Sequence, residues 1–136
     1  MGLWLIKKSV ANFNVTMDVN ELTYQINGAV FEVNRILGAG FLEKVYQNAL
    51  MVEFKLRELN ALSQVPISVH FKGVVVGEYF ADIVVDDQII LELKAVATLQ
   101  NIHEAQLLNY LKATGYKIGL LINFTYPKAE IKRFVM

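Results

Sequence analysis

The chain has 136 residues, no cysteine, and thirteen basic residues balanced by thirteen acidic ones. That length suits one domain with a single core, and an apolar content of 54% lies well above a disordered composition. The lack of cysteine excludes disulfides, zinc–thiolate sites and a thiol nucleophile, and neutrality removes the footprint of a nonspecific nucleic-acid binder.

A cysteine-free chain fits a reducing compartment, so a cytoplasmic location is expected. No apolar run is long enough to span a bilayer, so no membrane partner is expected. Residues 1–16 read differently from the rest. Gly2 to Ile6 is apolar, but Lys7 and Lys8 follow it, whereas a secretory signal carries its charges first. The expectation is a poorly ordered extension, with Met17 a sensible start, or else a partner-binding arm that uses Trp4. Residues 17–136 are expected to form the single domain.

Asp18 and Glu21 have the spacing of a capping box. Leu22, Ile26, Ala29, Val30, Val33 and Leu37 then recur at helical spacing. Gly38-Ala39-Gly40 breaks that helix. A second is expected from near Gly40 toward Asn60, with Leu42, Val45, Ala49, Val52, Leu56 and Leu59 as its apolar stripe. Pro66 marks a strand entrance, with Ile67, Val69 and Phe71 alternating. Lys72-Gly73 reads as a tight turn. Val74 to Val85 reads as a second strand, with Gly77 at a bulge or a close contact. Asp86 to Gln88 turns the chain again. Ile89 to Val96 is apolar enough to be a central strand covered on both faces. A helix from His103 to Thr114 ends at Gly115, a fourth strand runs from Lys117 to Phe124, and Ile131 to Val135 adds an edge strand. The expected order is α, α, β, β, β, α, β, β, an α/β fold with a mixed sheet flanked by helices.

The chemistry concentrates in Ala81-Asp82-Ile83-Val84-Val85 and Ile89-Ile90-Leu91-Glu92-Leu93-Lys94. Ionised side chains within such apolar strands are costly without compensation, and a divalent cation is the usual partner when two carboxylates converge. Register decides whether they do. A two-residue loop after Val85 pairs Asp82 with Leu91 and turns Glu92 away. A three-residue loop pairs Asp82 with Glu92, and Lys94 then shares their face. An acid two residues before a lysine arises about once by chance in a chain of this length, so that pair alone can be a solvated strand face. The following helix adds Gln106 and Tyr110, four apart on one face, suited to holding a phosphate or stacking on a base. The ordinary alternative is a surface Gln and an amphipathic Tyr.

Gly40, Glu43 and Tyr46 open the second helix. They match the motif of the GxxExxY proteins, and Asp82 followed by Glu92-Leu93-Lys94 resembles the signature of the PD-(D/E)XK nuclease superfamily. Gln106 and Tyr110 look like the QxxxY element of its RecB-like branch. The likeness extends from Glu21 to Val135; Ala81 stands where the signature has Pro. It implies a restriction-endonuclease-like core whose site lies where the central hairpin splays. It also implies a metal role for Glu43, whose ordinary reading is a favourable charge at the positive end of a helix. His103, at a helix start, is a further candidate for a substrate contact or proton shuttle.

The expected function is a metal-dependent nuclease acting on DNA more readily than RNA. Asp82, Glu92 and Glu43 would hold Mg2+, or Mn2+ in its place, and Asp82, Glu92, Lys94 and Gln106 would carry catalysis. Tyr110, Gln106 and His103 would bind substrate. The rival readings are a nucleic-acid-binding or scaffold protein with a vestigial site, or a subunit whose groove needs a partner, a homodimer included.

Overall fold

The computed structural model describes residues 17–136, so the expectations for residues 1–16 lie outside the described residues. Helix α1 spans Val19–Leu37. Asp18 caps it, its carboxylate accepting from the amides of Asn20 and Glu21 at 3.1 and 3.4 Å. Leu22, Ile26, Ala29, Val30 and Val33 form its buried face, as their spacing predicts. Gly38 ends it at φ 69°, a left-handed conformation that glycine adopts without penalty.

Helix α2 spans Glu43–Leu56, shorter at both ends than expected, and its buried face is not the expected stripe. Tyr46, Gln47, Leu50 and Phe54 point inward, while Leu42, Val45, Val52 and Leu56 are exposed. The two stripes lie about one residue, roughly 100° of rotation, apart on the helix. Both satisfy helical periodicity, and the bulkier aromatic stripe wins the core. Tyr46 secures the outcome. Its ring stacks on Phe124 with centroids 4.2 Å apart, and its hydroxyl donates to the Gly38 carbonyl at 2.6 Å and accepts from the Phe41 amide at 3.2 Å. One side chain thereby pins the interhelical loop to the sheet.

Five strands follow: β1 (Ala61–Phe71), β2 (Val74–Val85), β3 (Ile89–Lys94), then, after helix α3 (Asn101–Thr114), β4 (Ile118–Asn123) and β5 (Glu130–Val135). They form one sheet in the order β1-β2-β3-β4-β5. All neighbours are antiparallel except β3 and β4, whose parallel pairing needs the α3 crossover. This is the expected mixed sheet with β3 at its centre. Strand β1 starts before Pro66 rather than at it, because an edge strand tolerates a residue that donates no ladder bond. The β1–β2 register shifts between Val69 and His70, opposite Gly77, so the glycine does mark a bulge.

The sheet is covered on both faces. Helices α1 and α2 pack on Ile83, Val85, Ile89, Leu91, Leu93, Leu120 and Ile122. Helix α3 packs on Ile67, Ala81, Val84, Ile90 and Leu121 through Leu107, Tyr110 and Leu111. Gly119 allows α3 to sit close, since a Cβ there would lie 2.8 Å from Leu107 Cδ1. Among the described residues, no helix is long and apolar enough to cross a membrane.

Tyr46→Phe tests the loop anchor. It keeps the ring stack but orphans the Gly38 carbonyl and the Phe41 amide, so it should cost about 1–2 kcal/mol, read as a lower urea midpoint at unchanged slope.

Candidate functional site

The β2–β3 turn decides the register. Val85 pairs with Ile89, Val84 with Ile90 and Ile83 with Leu91. Asp86, Asp87 and Gln88 therefore make the three-residue loop, with Asp86 and Asp87 both at φ 52° and Gln88 N–H bonded to the Val85 carbonyl at 3.0 Å. Continuing that register sets Asp82 against Glu92. The regular ladder stops one pair earlier, and side chains take over from it. The Asp82 carboxylate accepts from the Leu93 amide at 2.8 Å, and the Glu92 carboxylate accepts from the Asp82 amide at 3.2 Å. The hairpin opens here, and each acid is held by the other strand's backbone or its partner's own amide.

The electrostatics follow from this crowding. Glu92 is 5% exposed. Burial pushes its carboxyl up to about 8, and the Asp82 charge beside it adds to the rise; the Asp82 amide and the Lys94 ammonium oppose it. Burial also raises Asp82, against the Leu93 amide, Lys94 and the Gln64 amide, while Glu43 pushes the same way as burial. Lys94 lies two residues beyond Glu92 on the same face, opposite Asn123 in the parallel ladder. Its charge reaches both acids. Glu43 opens α2 and is felt by Asp82. Among the described residues, no three His, Asp or Glu side chains converge tightly enough to form a ready three-ligand cluster. The acidic pair is thus Asp82 with Glu92, and Glu43 stands beside it.

Helix α3 brings Gln106 and Tyr110 to the same side of the sheet. Gln106 Nε2 donates to the Tyr110 hydroxyl at 2.8 Å. Burial raises the Tyr110 phenol, and the charges of Glu92 and Asp82 raise it further, which places it within electrostatic reach of the acids. His103 has another task in this structure. Its Nδ1 accepts from the Gln100 amide at 3.1 Å, completing a capping box at the start of α3. That bond holds the imidazole at the helix start and leaves Nε2 as the ring nitrogen outside the cap.

Three amide side chains support the site without having been expected there. Asn123 is fully buried and clasps Val96, accepting from its amide at 3.0 Å and donating to its carbonyl at 2.9 Å, which fixes the chain just past Lys94. Gln47 is buried on α2 and accepts from Gln64 Nε2 at 2.8 Å. Gln64 sits in β1 at φ 53°, a left-handed conformation that strains a residue other than glycine. It interrupts the β1–β2 pairing between Ser63–Ile83 and Val65–Ala81, directly across from Asp82. A buried Asn closing a run of apolar strand residues was the one signal available for Asn123. Gln47 and Gln64 had none.

A family model for the PD-(D/E)XK nuclease superfamily matches residues 20–134. The chain belongs to the PD-(D/E)XK nuclease superfamily. Among solved structures, the crystal structure of SSO0001 superposes with a TM-score of 0.52 at 20% identity, covering 68% of this chain and 48% of that one. The chain thus spans about half the length of that protein. An alkaline exonuclease from Laribacter hongkongensis (LHK-Exo) is a looser match, at a TM-score of 0.45 and 13% identity over 93% of this chain and 74% of that one. No curated protein matches the sequence.

The raised Glu92 carboxyl has a measurable sign. Unfolded, it loses its proton near 4.5; folded, near 8. Between those values the folded state holds the extra proton, so Glu92 withdraws stability as pH rises through that window and nothing more above it. In metal-free buffer, Glu92→Gln should gain in melting temperature relative to wild type from pH 5 to pH 8, and the gap should then level off.

Proposed function

We propose that this protein is a metal-dependent nuclease of the GxxExxY type with a RecB-like helix, cleaving phosphodiester bonds of DNA in preference to RNA. One observation carries the reading: two carboxylates face each other where the central hairpin opens, with a lysine on the same face. Their donor set suits a hard cation. Asp82 and Glu92 offer anionic oxygens, and the Leu93 carbonyl adds a neutral one. Mg2+ characteristically takes one or two carboxylates and keeps several waters, so a complete protein cage is not required. When bound, such an ion lowers the pKa of a coordinated water and offsets the charge that grows on phosphate.

The chain's own residues would do the rest. Lys94 would orient the attacking water or balance the developing negative charge; as an ammonium it is not itself the base. Gln106 would hold a phosphate oxygen or the water, and Tyr110 would position substrate through its hydroxyl or ring. Glu43 would accept from a water at the edge of the ion's shell. His103 would meet the substrate backbone through Nε2. The GxxExxY residues divide between structure and chemistry in this reading: Gly40 and Tyr46 build the turn that sets Glu43 beside Asp82.

Wild-type protein should cut DNA with Mg2+ or Mn2+ and be silent in EDTA. Lys94→Ala should lower cleavage by at least about a hundredfold while retaining Mn2+ binding in calorimetry. Unchanged cleavage by Lys94→Ala would remove this mechanism. Metal binding should also tighten as pH rises toward 8, because the ion must displace the proton held on Glu92. Oligonucleotide binding without cleavage on single-stranded, duplex, flapped and RNA substrates would instead mark a vestigial site.

A further inference from the structure

A groove of about 810 Å³ runs between α3 and the β1–β2 hairpin. Gln106 and Tyr110 line it, and Tyr110 also feels the charges of Glu92 and Asp82, so this end of the groove lies toward the acids. Tyr79, His70, Asn109 and Lys112 extend it away from the acids, and no acidic side chain is among its lining residues. A larger hollow, formed around the β2–β3 turn, is lined by Glu58, Asp86 and Asp87 against a single lysine, Lys55. Electrostatics therefore separate the two: a polyanion is repelled from one and meets a lysine, an imidazole and neutral amides in the other.

The groove also carries an aromatic platform. Tyr79 and Tyr110 have ring centroids 5.7 Å apart, tilted by 45°. Tyr110 is nearly buried and held by Gln106, whereas Tyr79 is 48% exposed. The Tyr79 ring leans over bare main chain, since a Cβ on Gly77 would lie 3.2 Å from its Cε2. The glycine at the bulge thus leaves room for the ring. A base in a duplex has both faces stacked on its neighbours, so an aromatic face of this kind is useful only to an unpaired base.

Resting on the nuclease reading above, we propose that this groove binds a single-stranded segment of nucleic acid, one base stacking on Tyr79 and its phosphates facing Lys112 and His70. The strand then runs along α3 past Gln106 toward the acids. Substrate is selected by being unpaired next to the bond that is cut.

Fluorescence anisotropy in EDTA isolates binding from cleavage. The probes are oligothymidylate, the same strand annealed to its complement, and oligouridylate. Oligothymidylate should bind more tightly than the duplex. Tyr79→Ala should weaken it at least about fivefold and Tyr79→Phe should not. Lys112→Ala should reduce the slope of log affinity against log salt by about 0.7. Wild-type protein should crosslink through Tyr79 to an iodouracil-substituted strand. Oligouridylate binding as well as oligothymidylate supports a groove that reads bases without reading the sugar. Equal affinity of Tyr79→Ala and wild type, tighter binding of duplex, or a crosslink elsewhere would overturn the inference. A groove that fails leaves Mg2+-dependent cleavage standing, whereas a protein that binds but never cuts overturns the nuclease reading and spares the groove.

Discussion

The structure turns on one exchange. Where the β2–β3 ladder ends, the Asp82 carboxylate takes the Leu93 amide and the Glu92 carboxylate takes the Asp82 amide. An antiparallel pair would normally satisfy those amides with carbonyls. Here the acids do it, so the strands can part without leaving buried donors orphaned. The same bonds hold two carboxyl groups together in a poorly solvated place, so burial, and after it the Asp82 charge, keeps the proton on Glu92. A domain built only for stability has no reason to place that pair at the centre of its sheet.

The remaining architecture supports this opening. Gly38 and Tyr46 fix the turn that delivers Glu43, Asn123 locks the chain beyond Lys94, and the parallel β3–β4 pair brings α3 across the same face. Strain is also held at Gln64, whose left-handed backbone lies across from Asp82 in β1. That position would be relieved by a regular residue and a closed ladder.

Much of this was legible in the residues. The turn arithmetic after Val85 already separated a converging from a diverging pair, because side-chain direction alternates strictly along a strand. Element order and the α1 face followed from periodicity, and Asp18 and Gly115 gave their caps. The α2 face did not follow. Two apolar stripes share that helix, and contacts far apart in sequence, the stacking of Tyr46 on Phe124 among them, choose between them. The amides of Gln47 and Gln64 were hidden for a similar reason. Their importance comes from whom they meet across the fold, and nothing in their own neighbourhood announces it. His103 was placed correctly near a helix start, but its ring nitrogen is occupied by the cap, a detail that spacing alone cannot supply.

The seat of α3 on Gly119 has a steric corollary. The spacing between that helix and β4 is set by main chain meeting Leu107, with no intervening side chain to act as a shim. Gln106 and Tyr110 ride on the same helix as Leu107, so their height above the sheet is tied to that contact. A methyl group at position 119 would meet the Leu107 side chain at 2.8 Å, so that leucine, or the helix that carries it, would have to give way.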